Sequence, residues 1–153
     1  MNYIVIQVIA AIFATYGFGI IFNVRGGKNL FGSFGAGVGW LVYSLLNEKG
    51  FTYFISYTAA AATITIYSEL LSRKMKVPTV AFLYPGMIPL VPGGGIYYTM
   101  YYIVQDNISQ AVGKGIETFI ISGSIAIGIL SVSTFSQIFY HIVKKKEYDD
   151  KKY

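Results

Sequence analysis

Long apolar stretches alternate with short polar ones along the whole chain. Long stretches carry no charged residue, among them Tyr3 to Asn23, Leu30 to Asn47, Gly50 to Ser68 and Val77 to Gln105. About 18 or more mostly apolar residues suffice for a helix to cross the hydrocarbon core of a bilayer. The pattern therefore predicts five spans, over Tyr3–Phe22, Leu30–Leu46, Phe51–Leu71, Thr79–Val104 and Ile116–Val143. The connectors NVRGGKN, NEKG, SRKMKVP and QDNISQAVGKG separate them. The expected fold is an all-α integral membrane protein of about five transmembrane helices. Residues 1–143 form its transmembrane domain and residues 144–153 a charged cytoplasmic tail.

Composition strengthens this reading. Of the 153 residues, 54% are hydrophobic and 12% charged, against about 25% charged in a soluble domain. A soluble domain of this length cannot bury so many apolar segments. The absence of cysteine excludes a disulfide framework and a thiolate metal site.

The net charge of +5 raises the possibility of nucleic acid, but the positions of the cations argue for membrane orientation. The first and third connectors hold Arg25, Lys28, Arg73, Lys74 and Lys76, and the tail adds Lys144, Lys145, Lys146, Lys151 and Lys152. The opposite side keeps only Lys49 and Lys114. Five spans place the cation-rich segments on one side, which is then cytoplasmic, with the amino terminus outside. These residues also suit contact with anionic lipid heads. No nucleic-acid partner is expected, because the tail lysines are mixed with Glu147, Asp149 and Asp150. The first segment lacks a basic stretch before its apolar run, so it reads as a retained span rather than a secretory signal. The expected location is the plasma or inner membrane, multi-pass.

The fourth span is broken at its middle. FLYPGMIPLVPGGG, residues 82 to 95, contains Pro85, Pro89 and Pro92, and glycine at 86, 93, 94 and 95. Thr79 to Val104 is 26 residues, or about 39 Å as one helix, against a hydrocarbon core of about 30 Å. There is length to spare for a break. Each proline lacks a donor and frees a carbonyl four residues back: Ala81, Pro85 and Ile88. Unpaired backbone survives in a membrane only where protein covers it or it lines a wet cavity, so the break is either a buried kink or a site. Three prolines and a triple glycine favour a site. A half-helix ending near Leu90 points its negative end at the gap, and one starting near Ile96 points its positive end there. A zwitterionic amino acid would suit both ends, and a dicarboxylate the glycine end. Counted from Thr79 near the cytoplasmic face, Pro85 to Gly95 falls about 9 to 24 Å into the core, bracketing the midplane.

The residues FNV at the end of the first span, GWLVY in the second and SELLSRKMKVPTVAFLYPGMIPLVPGGGIYYTM across the third connector and fourth span resemble the threonine/serine exporter family. The likeness, over roughly Tyr3 to Tyr140, is to its small membrane subunit, the YjjB-like type. It implies export of small hydrophilic metabolites, threonine and serine or a dicarboxylate such as succinate. It also implies proton coupling and a larger membrane subunit as partner, the half that this chain lacks.

The substrate-binding candidates are Tyr84, Pro85, Gly86, Pro89, Pro92, Gly93, Gly94, Gly95 and Tyr98. Glu69 is the proton-coupling candidate, since carboxylates inside a membrane are costly and usually functional. Its plainer role is an interfacial pair with Arg73 at i,i+4. Tyr97, Tyr98, Tyr101 and Tyr102 form a broad face, either an aromatic belt or an exit path lined by hydroxyls. The small residues of the second span (Gly32, Gly35, Gly37, Gly39), the third (Ala59 to Thr63) and the fifth (Ser122 to Ser124, Ala126, Gly128) predict close helix packing, within the protein, with a partner or in a homo-oligomer. His141 is the lone histidine, so no metal site is expected. No nucleophile–histidine set, phosphate-binding loop or cofactor motif is present, so neither an enzyme nor a cofactor is expected. The alternative to a transporter subunit is a non-transporting membrane scaffold.

Overall fold

The computed structural model describes the backbone of residues 2–24 and 26–150, with side chains for 3–24 and 26–140. Arg25, His141 and the tail lysines invoked for orientation therefore have side chains outside the described residues. Six α-helices and one 3-10 turn account for nearly all of the described backbone: α1 (Asn2–Ile21), α2 (Gly27–Glu48), α3 (Tyr53–Met75), α4 (Val80–Met87), the 3-10 turn (Ile88–Leu90), α5 (Gly93–Val104) and α6 (Ile108–Asp150). This is an all-α membrane protein. By length and composition α1, α2 and α6 can each cross a bilayer, and the pair formed by Val80–Leu90 and Gly93–Val104, bent by 50°, makes a fourth span.

The predicted third span differs from the others. α3 has 23 residues, long enough to cross, but it is not apolar enough to count by composition. Its polar residues explain why it need not be: Ser56, Thr65 and Ser68 are buried, not turned to lipid. α3 packs on α2, α4 and α6 and is the central helix of the bundle. Ser, Thr and Ala there face other helices, and Thr65 satisfies its hydroxyl by donating to the Ala61 carbonyl at 2.7 Å. Polar side chains covered by neighbouring helices need not be apolar, while the uncovered face of α3 carries Phe54, Ile55, Ile66 and Leu70.

Small residues set the packing. A Cβ at Gly128 would lie 2.6 Å from the Thr58 carbonyl oxygen, and one at Gly35 would lie 2.6 Å from the Tyr67 ring. Gly39 meets Ile64 and Ala60, and Gly86 meets Ile64 from the other side. The GxxxG pair Gly35 and Gly39 is thus the seat of α3 on α2, and Gly128 the seat of α3 on α6. Of the predicted fifth-span face, Ser124 and Gly128 are buried, whereas Ser122 and Ala126 are exposed. Ala60, Ala61, Ile64, Leu83, Met87 and Leu90 form the core, flanked by Trp40, Tyr43 and Tyr57.

These contacts also give helix directions. Phe31 meets Tyr67 through a 3.0 Å hydrogen bond while Gly39 meets Ala60, so α2 and α3 are antiparallel. Thr58 donates to the Ser124 carbonyl at 3.1 Å and Glu69 accepts from Ser136 at 2.9 Å, so α3 and α6 run the same way. α1 is antiparallel to α2, since Asn29 donates to the Tyr16 carbonyl at 3.0 Å while Gly37 meets Ile12 and Val8.

The last connector is shorter than predicted. α6 begins at Ile108, not Ile116, and only Gln105 to Asn107 lie outside helix. The Asn107 side-chain oxygen accepts from the Gln110 amide at 3.3 Å, an N-cap that starts the helix ahead of its apolar run. Gly113 and Gly115 are carried inside it.

Candidate functional site

The broken helix takes its shape from its prolines, though not all of them break it. Pro85 lies inside α4. Pro89 lacks the amide that would bond the Pro85 carbonyl, and that carbonyl accepts from the Ile88 amide instead. Pro92 likewise leaves the Ile88 carbonyl, which accepts from Val91 at 3.3 Å. Both freed acceptors are recaptured by tighter i+3 bonds, the 3-10 geometry. Two of the carbonyls expected to stay open at the negative end of the first half-helix, those of Pro85 and Ile88, are therefore already paired.

The second half-helix starts at Gly93, earlier than Ile96. The Gly93 amide donates to the Val91 carbonyl at 2.8 Å, and the Ile96 amide to Pro92 at 3.1 Å. The amides of Gly94 and Gly95 have no acceptor among the described residues. Gly93 and Gly94 are exposed, and a Cβ at either would meet nothing within 4 Å. Gly95 is different: a Cβ there would collide with the Thr118 side chain on α6. Gly93 and Gly94 leave the site open; Gly95 lets α5 lie against α6.

The sequence-predicted residues fall into three groups around the bend. Pro85 and Gly86 are buried in the bundle; Gly86 lies against Ile64, and a Cβ at Gly32 would meet Pro85. Tyr84 is exposed and, with Pro85, Ile88, Phe22 and Val24, lines an apolar cavity of about 510 Å³. Pro89 lines a smaller hollow of about 300 Å³ with Gln7, Ala11 and Trp40. The indole Nε1 of Trp40 is buried with no acceptor among the described residues. Pro92 is half-buried, and Gly93, Gly94 and Tyr98 lie on the open face. Tyr98 belongs to a ring cluster with Tyr97, Tyr101 and Tyr102, its centroid 5.3 Å from that of Tyr97. The predicted residues thus frame the bend and do not line one closed pocket.

The bend runs from the middle of the bundle toward one end. Leu90 belongs to the central core with Ala60, Ala61 and Ile64. Gly95 touches Thr118, whereas the core level of α6 is marked by Gly128 against Ala61. That is ten residues, or about 15 Å along α6. The 3-10 turn sits at mid-bundle, and the glycines open toward the end where α6 begins.

Glu69 is placed elsewhere. Its carboxylate accepts from the Ser136 hydroxyl at 2.9 Å, Arg73 donates to that hydroxyl at 2.6 Å, and the Arg73–Glu69 pair stands at 3.7 Å. The i,i+4 pairing expected from sequence is present. Ser136, which bridges it to α6, was not anticipated, because Ser131, Ser133, Thr134 and Gln137 beside it are polar as well and sequence does not single it out. From Thr118 to Ser136 is 18 residues, so Glu69 lies about 27 Å along α6 from the glycines. Lys114 and Glu117 form a second pair at 2.7 Å, near the start of α6. Among the described residues no cluster of His, Cys, Asp or Glu could hold a metal ion.

The all-helical fold with its bent apolar span is that of an integral membrane protein. Residues 7–135 match the family described as Threonine/Serine exporter, ThrE, and the chain belongs to that family. It is an exporter-type transporter subunit. No curated protein and no solved structure matches it.

Proposed function

We propose that the chain supplies part of the substrate path of a secondary exporter for small hydrophilic metabolites, with the bend between the 3-10 turn and α5 as its substrate contact. The observation that carries this reading is the pair Gly93 and Gly94. They are exposed in an apolar chain, and the Gly94 amide has no partner among the described residues. Such backbone cannot face lipid, and at the N-terminus of α5 it favours an anionic group. The substrate is then a carboxylate: threonine or serine held by its carboxyl group, or a dicarboxylate such as succinate. Because the recaptured carbonyls offer little to an ammonium group, that group would need a partner beyond this bend.

The same exposure supports a larger membrane subunit as partner. Among the described residues no wall covers Gly93 and Gly94, and a second protein would both shield the backbone and complete the site. α3 counts as the third of five spans in this reading, since it lies beside α2 and α6 along its length and alternates in direction with α2. The amino terminus lies outside and the carboxyl terminus in the cytoplasm of a plasma or inner membrane, following the cation distribution. The glycines then face the outer half, on the exit side. Glu69 is the proton-coupling group, acting at a distance through α6.

Metabolite efflux from cells with and without this chain, in the presence of its copurifying partner, tests the reading. Loss of threonine, serine or dicarboxylate efflux without the chain is expected. Undiminished efflux with the partner alone would reduce the chain to a scaffold.

A further inference from the structure

A groove between α3 and α6, far from the bend, has the polarity of a lipid site. Its volume is about 390 Å³. Its apolar lining is Ile66 and Leu70 on α3 and Val132, Phe135 and Phe139 on α6, and its polar lining is the trio Glu69, Arg73 and Ser136. Both stripes follow helical spacing, and the two helices run the same way. The groove is therefore a channel about 10 Å long, apolar at its deep end and closed by Arg73 just before α3 stops at Met75.

We propose that this groove binds an anionic phospholipid, with its headgroup phosphate on Arg73 and an acyl chain along Leu70 and Phe135. The guanidinium is already oriented. One nitrogen donates to Ser136 at 2.6 Å, and its carbon lies 5.7 Å from the centre of the Tyr140 ring. Its Nη1 and Nε groups make no hydrogen bond among the described residues, and a phosphate is the ligand whose geometry uses them. Glu69 does not repel such a ligand outright, because its charge is met by Ser136 and Arg73. Lys74 and Lys76 follow within three residues and are exposed, so the end of α3 carries a net positive charge. Charge at the end of the helix with an apolar channel leading inward from it matches a phospholipid in a leaflet, and not a soluble anion. This inference does not depend on what the protein exports.

The full chain, with any partner that copurifies, is to be taken into mild detergent and offered phosphatidylglycerol or phosphatidylcholine. Native mass spectrometry reads bound lipid and thermal unfolding reads protection, with circular dichroism checking that each variant is folded. Two variants separate headgroup from chain: Arg73→Gln, and Leu70→Trp, which fills the groove from an exposed position and leaves the polar trio untouched. The expected result is preferential retention of phosphatidylglycerol, weakened about tenfold in Arg73→Gln, as for one lost charge-assisted hydrogen bond, and also weakened in Leu70→Trp. Inorganic phosphate at the same concentration should give no protection. Equal retention of the two lipids, wild-type retention in both variants, or protection by inorganic phosphate equal to that by lipid would overturn the proposal.

Discussion

Single residues at the bend have distinguishable jobs. Gly95 is a packing residue, because a side chain there runs into Thr118 on α6. Gly95→Val should lower the thermal stability of the purified protein, by about 1–3 kcal/mol for an overpacked contact. A loss of export in that variant would say nothing about substrate. Gly93 has open space, and valine there should leave stability unchanged or raise it by a few tenths of a kcal/mol, since valine is the better helix former. Calorimetry on the two variants checks the contrast, and equal destabilisation would contradict the packing described. Glu69→Gln keeps an oxygen for the Ser136 hydroxyl and removes only the charge. If Glu69 couples export to protons, this variant should still export down a substrate gradient but lose its response to an imposed pH gradient. Vesicle flux with and without that gradient separates the outcomes, and an unaltered response would leave Glu69 as a structural partner of Arg73.

Among the helices, the contact between α3 and α6 is the most exacting. Gly128 lets the Thr58 carbonyl approach to within 2.6 Å of where a Cβ would stand. Backbone cannot move aside as a side chain can, so Gly128→Val should cost about 1–3 kcal/mol or more, read as a fall in the unfolding midpoint in detergent. A midpoint within error of wild type would mean that the two helices do not pack so closely. The existence of the helices was legible in the uncharged runs, and the broken fourth span in its three prolines and triple glycine. Three features were not legible. The early start of α6 lay hidden because Gln105 to Gly115 is polar and carries two glycines, although Asn107 as N-cap was a readable signal. The role of Pro85 could not be read because a proline within a short helix and one that breaks a helix look alike in sequence. The polar character of α3 reflects the covering of its Ser and Thr face by α2, α4 and α6, a tertiary fact. The same limit applies to the candidate site: sequence nominates residues around the break, but which face covers Pro85 and which bares Gly93 depends on how the half-helices dock.

On the scale of the whole molecule, the proposed five-span arrangement and the cation distribution lead to an orientation that can be tested. Reporter tags at the amino terminus and after Tyr153 should lie on opposite faces of the membrane, with the carboxyl-terminal tag in the cytoplasm; both tags on one side would rule out five spans. The central claim is that the bend itself touches the substrate, and Gly94→Val tests it most directly. Valine fits there without a clash, so the protein should insert, fold and assemble with its partner, while the added side chain covers the free amide. Efflux of threonine, serine and succinate from cells carrying this variant in an assembled complex is the measurement. Loss of efflux at wild-type abundance is the result expected, and wild-type efflux in that complex would contradict the account and move the substrate site onto the partner.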